Sequence, residues 1–275
     1  MSHHLLNRKD APFADNVWAL IDSTVIAAAK SQLSARRIID VEGPYGLGAK
    51  SIAAADVETS EKTSVGDAVA SVSAPGFIPL AEIVAAFCVS ARDVAYFETT
   101  AIPFDTAVLA NAAIACARQE DALLLNGSAA LGVQGLLNAR GSVSHKLHSW
   151  KELGAAADDA IAAVTRLDDA GCHGPYALAL APALYNLLYR RYQQGPMTEI
   201  EHVKNIVTDG IVKASAIADG GVLIASGREY ASIALGQDMS VGFVGPVPGA
   251  YEFTVSESVA LRLKVPHAVC VLKGA

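Results

Sequence analysis

Cationic runs, paired cysteines and membrane-length apolar segments are what this 275-residue sequence lacks. Lys and Arg number 21 against 28 Asp and Glu, a net charge of -7. A nucleic-acid binder needs a basic footprint to neutralise phosphates, so nucleic acid is not an expected partner. The densest basic points, Arg36-Arg37 and Arg190-Arg191, read as solvated faces or local ion pairs. The four cysteines, Cys88, Cys116, Cys172 and Cys270, form no CxxC. Three of them sit in apolar stretches and read as small buried hydrophobes of a reducing compartment. Met1 to Asp10 carries no apolar signal core. The most apolar stretch, Tyr176 to Leu188, is broken by Pro182 and Asn186 and is too short to span a bilayer. The expectation is a soluble, cytoplasmic chain with no membrane partner.

Catalytic patterns are also missing. No GxSxG, P-loop or GxGxxG follows a strand pattern, and Gly46-Leu47-Gly48 lacks both the third glycine and a helix after it. His145 and His148 lie three apart beside Trp150, but no Cys or carboxylate stands at metal-ligand spacing near them, so no metal site is assigned. Cys172-His173 are adjacent, and neighbouring side chains rarely face each other as a catalytic pair must. Asp158-Asp159 and Asp168-Asp169 fall on or near a predicted helix, where adjacent positions point about 100° apart; they read as solvated faces. The sequence reads as a non-enzyme needing no cofactor.

What is present is apolar residue, 52% against 18% charged. A chain of this size buries roughly 70–75% of its unfolded surface. The surplus fits an Ala-rich core and large subunit interfaces equally well. After an irregular arm, Trp18, Ile21, Val25, Ala29 and Leu33 form one stripe on a helix from Asp15 to Arg36, with Asp15 or Asn16 as cap. Ala49 to Ile78 predicts a long hairpin with a polar tip from Glu58 to Asp67. Pro79 to Ser90 predicts a strand. A second helix is expected from Asp105 to Leu125, its stripe containing Val108, Leu109, Ala112, Cys116 and Leu123, stopped by Asn126-Gly127. Ser149-Trp150-Lys151-Glu152 has the capping-box pattern and predicts a third helix ending near Gly171. Tyr176 to Leu180 predicts a buried strand, Pro182 the first turn of a fourth helix, and Thr198 to Glu201 a second capping box. In the last third, Ile211–Ala216 and Val222–Ser226 predict a hairpin across Asp219-Gly220-Gly221. Five further strands are expected, at 231–235, 239–244, 251–258, 259–265 and 268–272. Helices and strands mix without βαβ alternation, which makes the fold class α+β.

Four ordered stretches resemble the encapsulin family of shell proteins: Gln32-Leu33 and Arg36-Arg37-Ile38-Ile39-Asp40-Val41-Glu42-Gly43-Pro44-Tyr45-Gly46; Gly132-Val133-Gln134-Gly135-Leu136-Leu137; Gly174-Pro175-Tyr176-Ala177-Leu178-Ala179-Leu180; and Gly236-Gln237-Asp238-Met239-Ser240-Val241-Gly242-Phe243. Ala11-Pro12-Phe13 before a Trp-bearing helix, Ser256-Glu257-Ser258 and Pro266-His267-Ala268 add to the match. The resemblance implies the fold of tailed-bacteriophage major capsid proteins. Its parts would be an N-terminal arm and helix over 1–45, an extended loop over 46–79, a peripheral domain over 80–131 and 226–275, and an axial domain over 132–225. Leu47, where many relatives carry Trp, and the Phe97–Phe104 connection depart from the family pattern. The resemblance further implies a self-assembling icosahedral homo-oligomer that encloses a cargo enzyme, a dye-decolourising peroxidase or a ferritin-like protein, bound through the cargo's C-terminal peptide. Matching positions place that peptide against Leu33, Arg36, Ile38, Ile39 and Asp40, with Val259 and Leu261 across the groove. A pore loop is implied at Tyr192, Gln193, Gln194, Gly195 and Pro196. A prophage capsid protein enclosing DNA would share the fold and is the alternative; a peptidase is a distant third.

Overall fold

The computed structural model describes residues 6–65, 68–192 and 195–274. Helix α1, Asp15–Gln32, buries Trp18, Ile21, Val25 and Ala29 of the expected stripe, and Val17 beside them; Leu33, also expected there, is buried just past the helix end. Its cap is Ala14, whose N–H donates to the Glu98 carboxylate at 2.8 Å. It stops short of Arg36 for a tertiary reason. The Asp121 carboxylate accepts the Ser34 and Ala35 N–H groups and the Ser34 hydroxyl, at 2.6 to 3.1 Å, and turns the chain out of the helix.

The following segment enters β1, Asp40–Glu42, which lies parallel to the long strand β9, Ala231–Val247. The Tyr45 and Gly46 N–H groups extend that pairing to the Leu235 and Gly236 carbonyls. Gly43 has φ +113°, and a Cβ there would stand 2.5 Å from the Leu235 carbonyl oxygen. The Gly43-Pro44-Tyr45-Gly46 stretch is therefore a backbone requirement of this contact.

The hairpin comprises β2, Ser51–Val65, and β3, Ala68–Pro79. Pairing runs from Ser51 with Pro79 to Val65 with Ala68. Residues 58–65, expected in a polar tip, are thus ladder residues; Gly66 and Asp67 lie outside the described residues. Strand β4, Ala81–Ser90, runs into α2, Ala91–Thr100. That helix was not expected. The Ser90 hydroxyl accepts the Asp93 N–H, and buried Phe97 packs edge-on against Phe104. Helix α3, Ala107–Asn126, follows and buries Leu109, Ala112, Ala113, Cys116 and Leu123–Leu125. Val108, expected in its stripe, is exposed.

Strand β9 pairs with β10, Ala250–Leu263, and the first sheet has the order β1-β9-β10-β4. Each of β9 and β10 was expected as two strands. Bulges near Glu252 and Ser256–Val259 let one strand bend without ending. The second sheet contains β5, Val143–Lys146; β6, Tyr176–Leu180; β7, Ile211–Lys213; β8, Gly221–Ala225; and β11, Val269–Lys273. Its order is β5-β11-β8-β6-β7. One expectation is corrected here. Strands β7 and β8 do not pair across Asp219-Gly220-Gly221, because β6 is inserted between them. Strand β11, expected with 226–275 in the peripheral domain, hydrogen-bonds to β5 and β8 of the 132–225 segment.

Helix α4, Ala155–Asp169, begins six residues after Ser149, and no capping box forms at Ser149–Glu152. Trp150 is instead drawn inward, its indole N–H donating to Asp159 at 2.7 Å. Short α5, Pro182–Leu187, and α6, Glu199–Ile206, complete the chain, and the Thr198–Glu201 capping box is present as expected.

Strand β6 is buried along its whole length. Ala177 and Ala179 face a core shared with α1, α3 and the first sheet, while Leu178 and Leu180 face a second core under α4 and α6. This period-two division is why one uninterrupted apolar run can serve two layers. Cys116, Cys172 and Cys270 are buried and Cys88 is exposed; burial pushes the Cys116 and Cys270 thiols up to about 11.

Candidate functional site

Arg36 lies at the junction of α1, α3 and the bulged middle of β9 and β10. Its Nε and Nη2 form a bidentate pair with Glu120 at 2.7 and 2.8 Å. Nη1 reaches Asp238 at 2.7 Å, and Nη2 also reaches Glu257 at 3.0 Å. Glu120 and Glu257 are fully buried. The bulge places Asp238 here: the Ser258 hydroxyl accepts the Gln237 N–H at 2.9 Å and closes the space beside Gly236. Burial, then the neighbouring Glu120 charge, pushes the Glu257 carboxyl up to about 9. Burial also raises Glu120 against the pull of Arg36. A guanidinium is suited to this place because its planar fork meets several carboxylates at once and stays charged. Every polar arm of Arg36 that the sequence offers to a peptide is occupied within the chain.

The other residues of the expected groove divide into two groups. Ile38, Ile39, Val259 and Leu261 are together in the main core, at 4%, 5%, 0% and 7% exposure. Val259 and Leu261 are two apart on β10 and face the same side, opposite Leu235 and Ile233 of β9. Leu33 packs separately with Ala29, Ala117 and Met239. Asp40 alone is open to solvent, 3.8 Å from the Arg228 guanidinium. Leu261 also touches a groove of about 340 Å³ at the base of the hairpin, with Phe77, Ile78, Val133 and Leu263. On α1, Ile26 leaves apolar surface uncovered at 49% exposure. Sequence reasoning missed Glu120, Asp121, Asp238 and Glu257. The available signal was an acidic pair, Glu120-Asp121, inside an otherwise Ala- and Leu-rich helical run.

The second expected site lies between α5 and α6. Arg191 pairs with Thr198, and the Tyr192 N–H donates to the Met197 carbonyl at 3.1 Å. Gly195, at φ +132°, stands at the turn with Pro196; Gln193 and Gln194 lie outside the described residues. The base is fixed by Arg190, which pairs with fully buried Glu199 at 2.7 Å and donates to the Lys151 and Leu187 carbonyls. The Tyr192 hydroxyl lies 3.1 Å from His202 Nδ1.

One sequence reading is overturned by side-chain placement. A carboxylate does stand beside His145 and His148: Asp159 Oδ1 is 2.8 Å from His145 Nε2 and 2.6 Å from His148 Nδ1. Sequence spacing concealed it because the carboxylate comes from α4. Burial raises Asp159, but hydrogen bonds from His145, Trp150 and His148 outweigh it and hold the carboxyl below the usual range.

The family profile described as "encapsulating protein for peroxidase" (Linocin M18) matches residues 3–260. The chain belongs to the encapsulin family. A type 1 encapsulin shell protein of Myxococcus xanthus is 32% identical over 98% of this chain and 96% of its own length. A diheme-cytochrome–encapsulin shell fusion protein of Kuenenia stuttgartiensis is 29% identical over 93% of this chain and 72% of its own. Among solved structures, a virus-like particle from Pyrococcus furiosus matches with a TM-score of 0.73 at 22% identity, over 92% of this chain and 98% of that one. The capsid of Myoviridae phage XM1 matches at 0.62 with 15% identity, over 86% and 90%. The fold is the phage-capsid fold expected from the ordered motifs. The family is one of structural encapsulating proteins, which agrees with the non-enzyme reading of the sequence. Among the described residues, no helix is long and apolar enough to cross a membrane.

Proposed function

We propose that this chain is the repeating subunit of a closed icosahedral shell that encloses a cargo protein in the cytoplasm. The observation that carries the reading is family membership over nearly the whole chain, joined to the capsid fold. The exposed hairpin β2–β3 supports it. Val69, Val72 and Phe77 are 65–72% exposed there, and a two-stranded hairpin is marginal unless something covers it. In this reading residues 1–45 form the arm and inner helix, 46–79 the extended loop, 80–131 with 226–263 the peripheral domain, and 132–225 with β11 the axial domain. Electron microscopy of the purified chain should show closed particles of one size. A discrete monomer or dimer under all mild conditions would overturn the shell reading. A DNA-filled capsid is disfavoured by the net charge of -7 and by sequence relatives that are encapsulins.

Cargo is read as a peroxidase or ferritin-like protein whose C-terminal peptide lies along α1 and the chain that follows it. Because Ile38, Ile39, Val259 and Leu261 are buried, the peptide would rest over them and engage exposed side chains, Asp40 on β1 and Ile26 on α1. Asp40→Lys and Ile26→Asp change these exposed positions without entering the core. Each should reduce co-purification of tagged cargo several-fold while particle size stays constant. Unchanged loading in both would remove the groove assignment. The pore-loop residues Tyr192, Gln193, Gln194, Gly195 and Pro196 are read as the rim of a pore where copies meet at a symmetry axis.

A further inference from the structure

We propose that His145, His148 and Asp159 form a divalent-cation site of the zinc class between β5 and α4. Their ligand atoms lie within 4.8 Å of one another. His145 lies on β5 and is 8% exposed at its side chain; Asp159, on α4, is 1% exposed; His148, on the segment that joins them, is 73% exposed. Two imidazoles and one carboxylate are a borderline donor set, preferred by zinc-type ions over magnesium or calcium, which take oxygen. The third ligand comes from a different element, so the cluster closes a loop instead of following a local sequence pattern.

The carboxylate is oriented before any ion arrives. Asp159 Oδ2 accepts the Trp150 indole N–H at 2.7 Å and the His148 backbone N–H at 2.9 Å, which turns Oδ1 toward both rings. Such outer hydrogen bonds fix a metal-ligating carboxylate. At a zinc-ligand distance of about 2.0–2.1 Å, tetrahedral ligands stand about 3.3 Å apart. The present Oδ1 contacts of 2.8 and 2.6 Å therefore have to open by about half an ångström or slightly more; rotation of the exposed His148 ring opens the shorter, and a small shift of the His145 ring or of the carboxylate opens the other. His148 is itself exposed and borders a surface depression of about 240 Å³, so the ion reaches the site from solvent on the His148 side.

Coordination places the single proton of each neutral imidazole on its far nitrogen, Nδ1 of His145 and Nε2 of His148. His145 Nδ1 is buried with no hydrogen-bond partner among the described residues. A ligating histidine without its outer hydrogen bond loses about ten- to hundred-fold in affinity, so the site is an exchangeable one and not a permanent structural centre. Binding the folded chain selectively raises its stability by mass action and ties β5 to α4.

The test is titration of the full-length, metal-free protein with Co²⁺, followed by Zn²⁺. The expected result is one Co²⁺ per subunit with tetrahedral d–d absorption, displaced by Zn²⁺, and a higher melting temperature in Zn²⁺. His148→Ala, at an exposed side chain, should keep the fold and weaken binding at least about ten-fold, with the zinc-induced stabilisation lost. Asp159→Asn, which retains an acceptor for Trp150, should do the same. His3 and His4 are present in all three proteins, so binding there cancels in the comparison. No d–d absorption in the unsubstituted protein overturns the proposal. Equal binding by the His148→Ala protein overturns it as well.

Discussion

At the scale of single residues, the buried acidic pair under Arg36 dominates. The Glu257 carboxyl rises from its ordinary value of 4.5 to about 9 on folding, so between those values the folded chain holds a proton that the unfolded chain has lost. Stability from this group is complete below pH 4.5 and is lost as pH rises through about 9. One proton corresponds to at most about 1.4 kcal/mol per pH unit. Glu257→Gln keeps the shape and removes the titration. Urea midpoints measured from pH 6 to 9 should fall less steeply for this variant than for the parent chain. Identical slopes would mean that the proton resides elsewhere. The sequence showed Arg36 as a conspicuous cation but not its partners, which lie 84, 202 and 221 residues away. Its reading as a peptide contact followed from position alone; the fold assigns its hydrogen bonds inward.

At the scale of elements, α1, α3, α6, β4 and β6 were legible because each carries a local pattern: apolar periodicity and caps in the helices, which bond within themselves, and short apolar runs in the strands, whose partners lie elsewhere. The exceptions share a cause. Helix α4 starts late because Trp150 is held by Asp159, and α1 ends early because Asp121 captures Ser34 and Ala35. Strands β9 and β10 continue through polar stretches because bulges absorb residues that break the alternation. In the Gly132–Leu137 motif, Gly135 is needed because its backbone presses against Gly127, leaving no room for a Cβ. The hairpin β2–β3 carries the prediction proper to this scale. Val72→Lys combined with Phe77→Lys should leave the far-ultraviolet circular dichroism unchanged and lower particle yield strongly, measured by light scattering. Normal yield would show that the hairpin's apolar side chains are not covered in the assembly.

For the whole molecule, the amino-acid sequence by itself determined the α+β class, the order of the long elements, the absence of a nucleophile motif and the family signature. These are properties of local pattern and of motifs in fixed order. Tertiary structure alone decided that β6 separates β7 from β8 and that β11 closes the five-stranded sheet. It also buried the aliphatic residues of the expected groove and brought Asp159 to the two histidines. The physical reason is the same in each case. A strand's partner and a side chain's neighbours are chosen by which surfaces exclude water together, and that choice joins residues tens to hundreds of positions apart.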